Sequence, residues 1–146
     1  MPIRVSEAMW EGDLMKGKGK MRLGSGAFEG SYSFGSRFEQ ARGTNPEELI
    51  GAAHAGCFSM ALSMMLGQAG YKVEQIHTTA KVHIDKVAEG FKITTIELET
   101  VGQVPGIDER TFKEKAEEAK KGCPVSMALT GVDIRLTARL KKLAAA

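Results

Sequence analysis

Residues 45–68 constrain this chain more than any other stretch. Asn45-Pro46-Glu47-Glu48 reads as a helix start. Asn45 is a good cap, Pro46 suits the first helical position, and Glu48 sits three residues after Asn45 in capping-box spacing. The helix is expected to run from there to about Gln68 and to stop near Gly67 or Gly70. It is apolar on almost every side, through Leu49, Ile50, Phe58, Leu62, Met65, Leu66 and a series of alanines and methionines. Such a helix leaves no face for water, so it belongs in a core or in a large subunit interface.

The flanking segments supply sheet to cover it. Before Arg42 the chain is Gly-rich, and Ala8–Leu14, Gly19–Leu23 and Ser31–Phe38 read as strands, which places Arg37 in an extended piece. After Tyr71, Val73–Lys86 alternates through Ile76, Thr78, Ala80, Val82 and Ile84, and a turn near Ala88-Glu89-Gly90 leads into Phe91–Val101 as a hairpin. Asp108 is placed to cap an amphipathic helix, Glu109–Lys121, which Gly122 ends. Cys123-Pro124 opens a short helical turn to about Leu129, Val132–Leu140 alternates as a half-buried strand, and the Ala-rich tail is expected to fray. Strands in runs with helices between them give an α+β fold. At 146 residues the chain fits one domain, 1–146, with a core that needs no disulfide or metal to fold.

A net charge of +2 is too small to argue for nucleic acid or a membrane surface. The longest apolar run, Phe58 to Leu66, is far shorter than the roughly 20 residues that span a bilayer, and the start of the sequence has no apolar leader region. These features point to the cytoplasm, where a lone pair of cysteines is catalytic, redox-active or metal-binding more often than a structural disulfide.

The residues themselves leave several readings open. Cys57 lies mid-helix in Ala53-His54-Ala55-Gly56-Cys57-Phe58, with small neighbours one turn back. It reads either as a buried core thiol or as a reactive one. Cys123, between Gly122 and Pro124, occupies a helix N-terminus, where amide groups favour a thiolate. His54 and Cys57, three apart on one helix face, could bind zinc with Cys123 and His77 or His83. His54 also reads as a base for a cysteine hydrolase, or as a packing histidine. Arg37 alone means nothing beyond a surface charge.

The segment Gly43-Thr44-Asn45-Pro46-Glu47-Glu48-Leu49-Ile50-Gly51-Ala52-Ala53-His54-Ala55-Gly56-Cys57-Phe58-Ser59-Met60-Ala61-Leu62 strongly resembles the peroxidatic segment of the OsmC (osmotically inducible protein C) family, relatives of the organic hydroperoxide resistance (Ohr) proteins. Arg37-Phe38-Glu39, Val104-Pro105-Gly106-Ile107-Asp108 and Gly122-Cys123-Pro124-Val125-Ser126 match as well, and the pattern is that of the OsmC branch. The resemblance implies an intertwined homodimer with antiparallel β-sheet around long central helices. It implies Cys57 as peroxidatic cysteine, Cys123 as resolving cysteine, Arg37 as the activating cation and Glu47 as the residue that holds Arg37, with adjacent Glu48 separated from Glu47 by motif position alone. It implies an organic hydroperoxide substrate, an external dithiol reductant of the lipoyl type, and no metal or other cofactor.

Helix geometry adds a constraint. Glu47 and Cys57 are ten residues apart on one helix, roughly 15 Å along its axis. They cannot meet in one site on one chain, so a site that uses both must take Glu47 from a second chain. Two rival classes remain: a metal-binding protein built on His54 and the cysteines, and a stress protein whose apolar dimer groove holds a lipid-like ligand. Phe58, Met60, Met64, Met65 and Met127 hint at an apolar pocket for either a ligand or an alkyl peroxide.

Overall fold

Alternation, capping and glycine placement set the ten elements of this computed structural model, which describes residues 1–142. The Ala-rich tail, 143–146, lies outside the described residues. Two compact units are present, Met1–Leu49 and the residues from Ile50 on.

In the first unit, β1 (Ser6–Glu11), β2 (Lys18–Leu23) and β3 (Glu29–Tyr32) form an antiparallel meander in the order β1-β2-β3. Gly19 pairs with both Trp10 and Tyr32, whose rings meet at 5.2 Å. A Cβ on Gly19 would collide with both rings, so the bare backbone lets the aromatics close over it. The predicted strand Ser31–Phe38 is corrected here. It ends at Tyr32, and Phe34–Phe38 forms a short helix, α1. The reason is local: Ser33 and Ser36 exchange hydrogen bonds in a capping box, Ser36 N–H to Ser33 Oγ at 3.1 Å and Ser33 N–H to Ser36 Oγ at 2.8 Å. Arg37 is therefore helical.

The long helix, α2 (Pro46–Gln68), has the expected bounds. Glu48 N–H donates to Asn45 Oδ1 at 2.8 Å, but the Glu48 carboxylate accepts from Thr44 Oγ1 at 2.6 Å, leaving the box half made. With 23 residues and an 18-residue window of mean hydropathy 1.6, α2 has the length and composition of a membrane-crossing helix, a property its longest apolar run understates. Here Phe58, Leu62 and Leu66 are fully buried in the core of the second unit. One face of α2 is not covered within the single chain, where Met60 and Met64 are 77% and 56% exposed.

The second unit carries the predicted hairpin, β4 (Gln75–Val87) with β5 (Gly90–Gln103), then α3 (Glu109–Gly122), α4 (Pro124–Ala128) and β6 (Asp133–Leu140). Asp108 caps α3, its carboxylate accepting from Thr111 N–H at 3.0 Å. The sheet order is β4-β5-β6, and β6 runs parallel to β5. The expected all-antiparallel sheet is therefore mixed. The connection through α3 and α4 carries the chain back to the end of the sheet where β5 started, and a crossover of that length permits parallel pairing. The core joins α2 to Ile96 and Leu98 of β5 and to Phe112, Ala116 and Ala119 of α3.

Gly102 permits the α3 contact: a Cβ there would lie 2.5 Å from the Phe112 ring. Gly102→Ala is expected to destabilise by about 1–3 kcal/mol through overpacking. Urea denaturation should show a lower midpoint at an unchanged slope.

Candidate active site

The four predicted residues form two pairs, one in each unit. In the first, the α1 capping box and a web of polar contacts set Arg37 beside the start of α2. Ser36 Oγ donates to the Thr44 carbonyl at 2.8 Å, and Asn45 Nδ2 donates to the Ser36 carbonyl at 3.1 Å. Arg37 then donates through Nε (3.1 Å) and Nη2 (2.8 Å) to one oxygen, Oε1, of Glu47. Of the two adjacent carboxylates, Glu47 pairs with Arg37 while Glu48 accepts from Thr44. The Glu47 side chain is 8% exposed and that of Arg37 36%, so the carboxylate is enclosed while the guanidinium keeps an open face. Glu47 Oε2 has no hydrogen-bond partner among the described residues. Beside Arg37 lies a cavity of about 210 Å³ walled by Trp10, Leu14, Tyr32, Phe34 and Phe38. Of the residues expected to line an apolar pocket, Phe58 is in the core of the second unit, Met65 packs against that core, and Met60, Met64 and Met127 are exposed.

In the second unit, Cys123 ends α3 and caps α4. Its φ of −68° and ψ of 138° are extended. Pro124 disfavours a helical conformation at the residue before it, so α3 cannot continue and Cys123 is left in capping geometry. Its sulfur accepts from Ser126 N–H at 3.3 Å and donates to Ser126 Oγ at 3.1 Å. Cys123 is fully buried, while Cys57 is partly exposed. Cys123 and the Val125 amide are the groups whose proximity acts on the Cys57 thiol. The first turn of α4 thus serves both sulfurs. Burial pushes the Cys57 thiol up, the Val125 amide opposes this, and Cys123 adds to the rise. Among the described residues, no cation is among the groups acting on it.

His54, placed by the sequence as ligand, base or packing residue, is fully buried, and its Nε2 lies 2.7 Å from Ser126 Oγ. Its Nδ1 has no partner among the described residues. Burial holds its pKa below the ordinary value. Among the described residues, no group of three His, Cys, Asp or Glu side chains is gathered as a metal site. His83 is instead paired with Glu97 at 2.6 Å. Sequence reading did not single out Ser126 or the Val125 amide. The available signal was spacing: Ser126 sits three residues after a capping Cys, where its N–H must face the cap.

With this geometry established, resemblance to known proteins decides the family. The OsmC-like protein family matches residues 39–137. The chain belongs to the OsmC family. It is 54% identical to Peroxiredoxin OsmC of Escherichia coli K12 over 139 residues, covering 94% of this chain and 96% of that protein. It is 34% identical over 97 residues to the organic hydroperoxide resistance protein of Xanthomonas axonopodis pv. citri, covering 65% and 66% of the two chains. The fold matches the crystal structure of an organic hydroperoxide resistance protein OsmC from Legionella pneumophila at a TM-score of 0.77 and 22% identity, covering 97% and 100%. It matches OhrB of Bacillus subtilis at 0.72 and 24%, covering 94% and 98%.

The His54 environment predicts a pH effect on stability. Folded His54 binds a proton more weakly than the unfolded side chain, whose pKa is about 6.5. Its stabilising contribution is complete above that value and is lost as pH falls below it. Between pH 7.5 and 5.5 the melting temperature of the native protein is expected to drop more steeply than that of His54→Gln, as followed by circular dichroism.

Proposed function

We propose that this protein reduces organic hydroperoxides to alcohols through a Cys57 sulfenic acid and a Cys57–Cys123 disulfide, with residues 1–146 acting as one peroxidase domain in the cytoplasm. As an OsmC family member 54% identical to Peroxiredoxin OsmC, it is a cysteine-based peroxidase, an oxidoreductase of antioxidant defence. The observation that carries the finer reading is that Cys57 and Cys123 are near enough for each thiol to bear on the other's charge, beside the first turn of α4.

The Cys57 thiolate attacks the near peroxide oxygen. The O–O bond breaks, the alkoxide takes a proton and leaves as alcohol, and Cys57 becomes a sulfenic acid. Cys123 then displaces hydroxide from it, forming the disulfide and water and protecting Cys57 from over-oxidation. An external dithiol, lipoyl-type in our reading, restores both thiols by exchange. The hydroperoxide relatives and the aromatic cavity beside Arg37 both favour alkyl peroxides over hydrogen peroxide.

Within its own unit nothing cationic activates Cys57, and burial disfavours its thiolate. Arg37, oriented by Glu47, is suited to supply that charge and to stabilise the departing oxygen. Because Glu47 and Cys57 lie roughly 15 Å apart along α2, the Arg37–Glu47 pair of one chain serves the cysteines of another. The active form is then a homodimer. The exposed strip of α2, formed by Ala52, Ala53, Gly56, Met60 and Met64, gives that dimer an apolar contact with small residues for close approach.

Stopped-flow mixing with an organic hydroperoxide and with hydrogen peroxide tests the chemistry, with mass spectrometry of both cysteines. Cys57→Ser should abolish turnover. Cys123→Ser should allow one turnover and then yield sulfinic acid at Cys57. Arg37→Met should slow the first step by about 10²-fold, as for removal of one preorganised donor. Intact thiols after mixing would refute the proposal. For the assembly, Met60→Glu should shift sedimentation toward monomer and lower activity together, and a fully active monomer at nanomolar concentration would exclude the shared site.

A further inference from the structure

The resolving thiol poses a proton problem. Cys123 must lose its S–H proton to attack the sulfenic acid, yet its side chain is shut away from water. Its hydrogen bond runs to Ser126 Oγ at 3.1 Å, and Ser126 Oγ lies 2.7 Å from His54 Nε2. Ser126 is 5% exposed and His54 0%, so the whole chain of contacts is dry.

The tautomer follows from counting unmet groups. If His54 Nε2 carried the proton, Ser126 Oγ would accept from it and turn its own O–H to Cys123 Sγ, the Cys123 S–H would lose Ser126 as its acceptor, and Nδ1 would be a second unmet group. If Nδ1 carries it, every group in the chain is satisfied except that one N–H. Each unmet buried group costs about 1–3 kcal/mol, so the second arrangement is favoured. Cys123 then donates to Ser126, and Ser126 donates to a bare His54 Nε2.

We propose that His54 and Ser126 form a proton relay that deprotonates Cys123 in the resolving step. The proposal rests on the peroxidase reading above. Ser126 touches the reacting sulfur, and His54 acts through it as a positioning residue and proton acceptor. As the Cys123 electron pair forms the S–S bond, its proton passes to Ser126 Oγ and the Ser126 proton passes to His54 Nε2. The S–O bond of the Cys57 sulfenic acid breaks and hydroxide departs. Hydroxide and the imidazolium proton then combine as water. Cys123 sulfur is oxidised and Cys57 sulfur reduced to the disulfide level, so no further reactant is needed. Burial keeps His54 neutral and able to accept at pH 7. From α4 the Ser126 hydroxyl reaches its ring and links it to the Cys123 thiol, and among the described residues burial is the one cause acting on its titration. From β4, Ala80 and Val82 approach α2 at Gly51 and bring no charge there.

Rapid quenching with an alkylating reagent, followed by mass spectrometry, measures sulfenic acid formation and disulfide formation separately in one sample. The readout is their ratio as a function of pH, for the native protein, His54→Gln and Ser126→Ala. In the native protein the resolving rate should be level from pH 7 to 9 and fall as His54 becomes protonated below its depressed pKa. In both variants it should be at least tenfold slower at pH 7, and it should recover toward the native rate in alkaline solution, where hydroxide replaces the relay as proton acceptor. A structural role for the contact predicts an equal loss at every pH, and that outcome overturns the relay, as does an unchanged ratio. Should His54→Gln fail to fold by circular dichroism, Ser126→Ala, which removes one atom, carries the same test. If the native protein forms no sulfenic acid at all, the peroxidase reading fails instead.

Discussion

A proline after Cys123 denies that residue a helical conformation, and the cysteine site depends on the break that results. Without it α3 would run on, and its amides would be consumed by ordinary helical bonds. With it, Cys123 ends one helix and starts another in a single extended residue. The fresh N-terminus offers two free amides, and each reaches a sulfur: Ser126 N–H to Cys123 and Val125 N–H to Cys57. The same turn carries Ser126 to His54. One covalent constraint therefore places one thiol, two amide donors and a hydroxyl.

The first unit reaches a comparable precision by other means. No proline or disulfide holds Arg37. Its position comes from the Ser33–Ser36 capping box and from the bonds of Ser36 and Asn45 across the α1–α2 connection. Enclosing Glu47 then fixes the far end of the ion pair while the guanidinium remains accessible. A charge held this way loses little freedom when it binds a second group, which is the property an activating cation needs.

Much of this was legible in the sequence for identifiable reasons. Period-two alternation found β4, β5 and β6, and capping chemistry found α2, α3 and α4. What failed was non-local or too short. The direction of β6 is set by a crossover and leaves no trace in its own alternation, so a mixed sheet was read as antiparallel. The five residues of α1 hold less than two turns, and their apolar and aromatic content resembles a strand; only the serine spacing distinguished them. At the site, motif spacing indicated which residues matter, while the partners did not show. The Thr44–Glu48 bond that leaves Glu47 to Arg37 depends on the local turn, and the Ser126–His54 contact joins residues 72 apart in sequence.

The polar groups that fit the core least well are the ones with chemical work available. An apolar side chain at position 54 would suit α2 better than a buried imidazole with an unmet Nδ1, since burying a polar group without a partner is unfavourable. The unpartnered Oε2 of Glu47 is a similar strain on the first unit. These two atoms belong to residues in contact with Arg37 and with the cysteine turn, not to residues scattered through the core. Local rules are broken where the site is assembled and obeyed in the strands and helices around it, a distribution expected when stability is surrendered for function. Burial of Cys57 fits the same pattern, since its surroundings disfavour the thiolate that its chemistry uses.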